Sequence, residues 1–338
     1  MGKEKIKQHF VPQCYLEQWA TPDKHQVYVY NKKVRKSYPA NILDVAEERY
    51  FYDIDFTGIL TEDELKKYGY PVCDPKRLDD GQYIENFFAN IVENDFKTRL
   101  LKIIYRVSQM NLWEIKNCSF LTEEDKFHLS FHLALQYIRV RSVRSGIAES
   151  NDCLSQALVD MGVPEEIIER HTVSRSQLPY IHGKMILDKE HLEKRSQSFF
   201  SLSWILHVNR TTRPFFTSDS PIGTEEHAER PYPFISMAGL NSQGVEVYFP
   251  ISPNLMLLMF DGEYHKRLQG YDRRIIELYD EEAVKYCNSR CALYSDSCVI
   301  SNKNDFSIIN EMLAKDPKVF DQPRTVLHWG GNTYTPRK

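Results

Sequence analysis

Between residues 83 and 108 apolar side chains recur at helical spacing: Ile84, Phe87, Phe88, Ile91, Val92, Phe96, Leu100, Ile103 and Ile104, with neither Gly nor Pro among them. That period predicts one long amphipathic helix. A second helix is predicted from Glu123 to about Ser145. Thr122 stands at its cap, acids fill its first turn, and Phe127, Phe131, Leu135 and Ile138 mark its apolar face. Shorter helices are expected over 149–163, over 164–172 with Pro164 in the first turn, and over 187–198.

The pattern changes after residue 198. Strands are predicted at 199–208, 215–217, 245–251 and 255–260, the last two joined by a tight Ser252-Pro253-Asn254 hairpin. A helix over 281–294 and a short strand at Val299-Ile300 follow. Nearer the start, a turn at Thr21 to Lys24 leads into a strand over 26–31, and residues 44–52 read as a helical turn. Residues 54–82 read as a loop-rich connection with a short helix from Thr61 to Lys67, where Thr61 and Glu64 fit a capping box. The expected fold class is therefore α+β: a helical middle packed with a mostly antiparallel β-sheet built from the N-terminal strand and the C-terminal half. Residues 1–338 are expected to form one domain, open to division into a helical lobe (83–198) and a β-rich lobe (1–53 with 199–302).

The first twelve residues that matter are Gln8-His9-Phe10-Val11-Pro12-Gln13-Cys14-Tyr15-Leu16-Glu17-Gln18-Trp19. Chain starts are usually frayed, so aromatics at this density predict a segment docked against the body. The net charge of −4 excludes a global basic field for nucleic acid, leaving only a local groove for such a partner. Seven scattered cysteines without a Cys-x-x-Cys pair point to reduced thiols and away from a structural zinc site. No leader-like or 18-residue apolar run occurs, so the expectation is a cytoplasmic protein with no membrane partner.

Several of these stretches together resemble the bacterial domain-of-unknown-function family 4238. The opening residues Gln8, His9, Val11, Pro12, Tyr15 and Leu16 match its first motif, and Val27 to Tyr30 resemble the strand that follows. Glu85 and Glu93 resemble its helical glutamates, and Gln136 with Arg139 its Gln-x-x-Arg helix. Phe215 to Pro221, Phe249 to Pro253 and Asn288 resemble its later motifs. The likeness runs from residue 8 to about 302 and implies no established activity, so function must be argued from the residues.

Their chemistry admits two readings throughout. His9 is a proton mover or metal ligand, or a buried histidine that anchors the N-terminus. Glu85 and Glu93, about 80° apart around a helix, form a divalent-metal pair or a solvated edge. His128, His132 and Gln136 make an i, i+4, i+8 stripe with Arg139 beyond, but Leu129 stands where a zinc protease needs its glutamate. Gln136 and Arg139 clamp a phosphate or bridge two helices. Asp219 in Thr217-Ser218-Asp219-Ser220-Pro221 is a catalytic or metal-binding carboxylate, or an Asx turn.

The expectation drawn from these residues is a metal-dependent phosphodiester hydrolase, nuclease-like, of the kind that serves as a toxin or defence effector. Glu85, Glu93 and Asp219 would hold Mg²⁺ or Mn²⁺, and His9, Gln8, Gln136, Arg139 and Asp219 would surround the reacting phosphate. The alternative is a non-enzymatic binding protein whose same residues form a buried structural network. Solvent access to these side chains separates the two.

Overall fold

The N-terminal run begins as strand β1 (Lys7–His9) and, after Pro12, makes one helical turn, α1 (Gln13–Leu16). In the computed structural model, which describes residues 5–54, 82–227, 239–321, 325–329 and 331–336, three strands follow: β2 (Gln26–Asn31), β3 (Lys36–Asn41) and β4 (Glu47–Arg49). β4 replaces most of the helical turn expected over 44–52. Long-range pairing is the cause: β4 runs antiparallel to β1, with Gln8 opposite Glu48 and His9 opposite Glu47. Ala46 and Tyr50 on either side of β4 take φ values of 52° and 54°, which a right-handed helix excludes. The expected helix from Thr61 to Lys67 lies outside the described residues.

The long helix is present but interrupted. α2 (Tyr83–Phe87) and α3 (Glu93–Gln109) are joined by a π-helical turn over Phe88–Val92. The wider turn shifts the phase of the side chains. Phe88 and Val92 are buried, whereas Ile91, expected on the apolar stripe, is 65% exposed.

A short helix, α4 (Leu112–Asn117), precedes α5 (Glu123–Arg139), whose first turn is capped as expected by the Thr122 hydroxyl on the Asp125 amide. α5 stops at Arg139 instead of continuing to Ser145. Its terminal carbonyls find side-chain partners from elsewhere: the Ile138 oxygen lies 2.7 Å from His182 Nε2, and the Arg139 oxygen accepts from the Tyr52 hydroxyl at 3.0 Å. Val140 is extended and the chain restarts as α6 (Arg141–Asp160), which absorbs the helix expected at 149–163. α5 also buries polar residues that its apolar periodicity does not reveal. Lys126, His132, Gln136 and Arg139 are buried while Phe127 is exposed.

α7 (Glu165–His171) follows Pro164, which sits at the cap rather than inside the helix. α8 (Leu178–Leu187), apolar on nearly every face, gave no periodic signal in the sequence. α9 (Lys189–Ser201) keeps Phe199 and Phe200 helical, so the strand expected from 199 begins later, as β5 (Ser203–Asn209).

The remaining elements are β6 (Thr217–Ser218), β7 (Gly223–Glu226), β8 (Val245–Ser252), β9 (Leu255–Phe260), β10 (Arg274–Leu278), α10 (Glu281–Tyr294), β11 (Cys298–Ser301) and α11 (Ser307–Lys315). A hairpin of β12 (Leu327–Trp329) and β13 (Asn332–Tyr334) ends the chain. Five strands form one sheet in the order β10-β5-β9-β8-β7, antiparallel except for β10 beside β5. A second sheet, β3-β2-β11-β6, mixes strands from the two ends of the chain. The fold is α+β, a helical middle with mostly antiparallel sheets. One apolar core runs through all three parts, joining Phe10, Tyr15 and Trp19 to Phe88, Phe96 and Leu133 of the helices and to Trp204 and Phe249 of the five-stranded sheet. Among the described residues no helix is long and apolar enough to cross a membrane.

Candidate functional site

Arg139 is the hub. It is 2% exposed, and its guanidinium donates to the His9 carbonyl at 2.6 Å, to Glu93 Oε1 at 3.0 Å and to the Tyr52 hydroxyl at 3.3 Å. The guanidinium carbon lies 3.8 Å from the centroid of the Phe88 ring, which the π turn delivers. Burial works against the charge, but Tyr52 and Glu93 outweigh it, and the arginine is held more firmly protonated than usual. Burial pushes the Tyr52 phenol up to about 12.

One turn earlier, Gln136 Nε2 donates to the Phe10 carbonyl at 3.2 Å. Helix α5 thus grips two consecutive carbonyls of the N-terminal run. Gln8, fully buried, accepts from the Tyr52 amide at 2.6 Å and donates to the Asp53 carboxylate and to the Lys5 carbonyl. His9 is 8% exposed; its Nδ1 lies 3.2 Å from Gln13 Nε2, and its Nε2 is buried without a partner. Burial lowers the imidazole pKa, although the Ile42 carbonyl and the carboxylates of Glu93 and Glu47 oppose the shift.

The helical glutamates stand at the rim of this network and each already has a cation. Glu93 pairs with Arg139, and Glu85 lies 3.7 Å from Lys5 Nζ. Burial raises the Glu85 pKa, with Arg139 and Lys5 acting against it. His132 is drawn aside by Asp95, whose Oδ2 is 2.6 Å from Nε2, so the His128–His132–Gln136 stripe is not a ligand set.

Asp219 belongs to a different construction. It is 1% exposed; Oδ1 accepts the Asp296 amide at 2.8 Å, while Oδ2 accepts the Ser297 amide at 2.7 Å, its hydroxyl at 2.8 Å and the Cys298 amide at 3.0 Å. This carboxylate welds the 217–221 turn to the chain entering β11. The structure therefore gathers Gln8, His9, Glu85, Glu93, Gln136 and Arg139 about the N-terminal run and places Asp219 elsewhere. Among the described residues no group of three His, Cys, Asp or Glu side chains is arranged to hold a metal ion.

Sequence reasoning passed over two partners in this region, Tyr52 and Asp53. Tyr52 meets both Gln8 and Arg139 and stands in an aromatic run, Tyr50-Phe51-Tyr52. Asp53 receives Gln8. Tyr15 and Trp19 carry the docking further: the Tyr15 hydroxyl is 2.6 Å from both Thr217 Oγ1 and the Pro250 carbonyl, and Trp19 Nε1 donates to the Phe215 carbonyl at 3.1 Å. Asn288 closes the same neighbourhood, accepting the Phe216 amide at 2.8 Å and donating to the Pro214 carbonyl at 2.9 Å.

Comparison with curated proteins and with solved structures finds no match. The model of one protein family matches residues 7–305, which take in Asp219 and every residue of this network except Lys5. The chain belongs to that family, described as a protein of unknown function (DUF4238).

Proposed function

We propose that the network around Arg139 is a structural lock and that the protein works by binding rather than by catalysis. The observation that carries this is the target of the donors: Gln136 and Arg139 bond main-chain carbonyls of Phe10 and His9, leaving no amide or guanidinium edge facing solvent for a phosphate. Asp219 is likewise saturated by amides and a hydroxyl of its own chain. What the chain does offer outward on α3 and α4 is aromatic and apolar: Tyr105, Leu112 and Trp113 are each about two-thirds exposed.

A second reading keeps one observation in its favour. Glu85 and Glu93 remain partly open to solvent, and Glu93 acts electrostatically on His9, whose Nε2 has no hydrogen-bond partner. In a phosphodiester hydrolase, those carboxylates would hold Mg²⁺ or Mn²⁺ and His9 would move a proton, with a single-stranded or duplex nucleic acid entering by a local groove. A toxin or defence effector would use such an activity. The deciding experiment incubates the purified protein with RNA and DNA in Mg²⁺, in Mn²⁺ and in chelator. The lock reading expects no cleavage in any arm. Metal-dependent cleavage that Glu93→Gln abolishes without loss of thermal stability would establish the hydrolase instead.

A further inference from the structure

The outer face of α3 is unlike an ordinary solvated helix face. Exposed side chains recur along it at alternating steps of three and four residues: Ile91 in the π turn, then Asn94, Thr98, Leu101, Tyr105 and Ser108. None of them is charged. The exposed side of α9, by contrast, carries the ion pairs Lys189–Glu193 and Lys194–Glu190. Alternation of three and four is the spacing of a seam along which a second helix packs. Two polar members of the seam are already served by their own helix. The Thr98 hydroxyl donates to the Asn94 carbonyl at 2.8 Å, and the Ser108 hydroxyl to the Tyr105 carbonyl at 2.7 Å. Covering these hydroxyls therefore strands no donor.

The charges flanking the seam bear on what covers it. Lys97 borders one side, and Asp95 with Lys102 the other. Lys97 is paired with Glu17 and Lys102 with Asp125, so the rim offers no net basic field to an anionic membrane or a nucleic acid. A second α3 suits it better. Two copies laid antiparallel about a twofold axis between Thr98 and Leu101 set Leu101 against Thr98, Tyr105 against Asn94 and Ile91 against Ser108. Each layer then matches a large side chain with a small one. Along one edge, Asp95 of each copy comes to Lys102 of the other. Parallel copies would instead bring Lys97 to Lys102, cation against cation. Asp95 has an oxygen left for the purpose: Oδ2 meets Arg99 at 2.7 Å and His132 at 2.6 Å, while Oδ1 has no partner among the described residues.

We propose that α3 is a self-docking helix, and that its partner is a second copy of this chain, antiparallel across a twofold axis. This names the partner for the outward face on which the binding reading rests. The seam is about 26 Å long and one helix wide. That is smaller than a standard interface of about 800 Å² per partner, so the dimer is weak, with a Kd on the order of 10–100 µM.

Sedimentation equilibrium of the full chain, from about 5 to about 500 µM, is the test. The weight-average mass should rise from 39.8 kDa towards twice that value across the range. Leu101→Glu and Tyr105→Glu, both at exposed positions, each weaken the dimer about tenfold or more with the thermal midpoint unchanged. Lys102→Glu leaves the seam whole but sets a second carboxylate opposite Asp95, and weakens the dimer about threefold. A mass of 39.8 kDa at every concentration overturns self-docking, while leaving the binding reading to the cleavage assay with another macromolecule as partner. Metal-dependent cleavage by a protein that still dimerises through α3 strikes the binding reading alone. A dimer indifferent to Leu101→Glu and Tyr105→Glu places the interface elsewhere, and one indifferent to Lys102→Glu lacks the antiparallel pairing; either result overturns the proposal.

Discussion

The guanidinium of Arg139 donates to the carbonyl of His9 at 2.6 Å across 130 residues of sequence. The contact joins the last residue of α5 to the last residue of β1, and it is bracketed by the Gln136–Phe10 bond on one side and the Glu93 ion pair on the other. A charged group with this many partners and almost no solvent is sensitive to any change of shape.

Arg139→Lys keeps the charge but has one short head for three directions. It should lower unfolding free energy by about 2–4 kcal/mol, with Glu93 and the His9 carbonyl left poorly matched. Urea denaturation of both proteins measures this. A loss below about 1 kcal/mol would mean the lock is dispensable.

Asp219→Asn places an amide nitrogen where one oxygen now receives only donors. In the Oδ1 place the nitrogen meets one donor and in the Oδ2 place three, so whichever way the amide turns at least one charge-assisted bond becomes a repulsive contact, and a destabilisation of about 2–3 kcal/mol is expected. Because Asp219 lies apart from the Arg139 network, the double variant Asp219→Asn/Arg139→Lys should be additive within about 0.5 kcal/mol. Strong coupling in that cycle would join what the geometry separates.

His182 is buried and His207 half-buried, and both have pKa values lowered to about 4, His182 by burial and then Arg144, His207 by burial of its ring. An unfolded imidazole takes its proton near 6.5, so between about 6.5 and 4 the unfolded chain binds more protons and stability rises with pH. Their contribution is intact above about 6.5 and lost progressively on acidification, each by up to about 3 kcal/mol. Denaturation midpoints at pH 7, 6 and 5 should fall, and less steeply in His207→Gln, provided that variant folds.

Thiol chemistry gives another check. Burial pushes the Cys14, Cys287 and Cys291 thiols up to about 12. At pH 8 the native protein should therefore alkylate these positions far more slowly than the same protein in denaturant. Mass spectrometry after a brief iodoacetamide pulse reads each site. Rapid native labelling of Cys14 would show that the N-terminal run opens.

Much of this fold is written in local periodicity, and its departures have identifiable causes. α3, α5, the β8–β9 hairpin and α10 follow from spacing, caps and turn residues. β4 does not, since only its pairing with β1 makes Glu47 to Arg49 extended. The end of α5 at Arg139 depends on Tyr52 and His182, which are remote in sequence and supply the capping donors. The residues of the lock were visible as polar positions in aromatic surroundings. What periodicity does not contain is direction: whether Arg139 faces a cleft or a carbonyl depends on where β1 lies.

The docking of Tyr15 and Trp19 bears on how the chain is made. Their hydrogen-bond partners Thr217, Pro250 and Phe215 lie 202, 235 and 196 residues downstream. On the ribosome, this aromatic segment leaves the tunnel well before the partners of its polar tips. At about 5–20 residues per second that wait is roughly ten seconds or longer, far longer than a helix needs to form. A nascent chain halted before residue 215 would hold this segment without the carbonyl and hydroxyl partners that seat it in the folded protein.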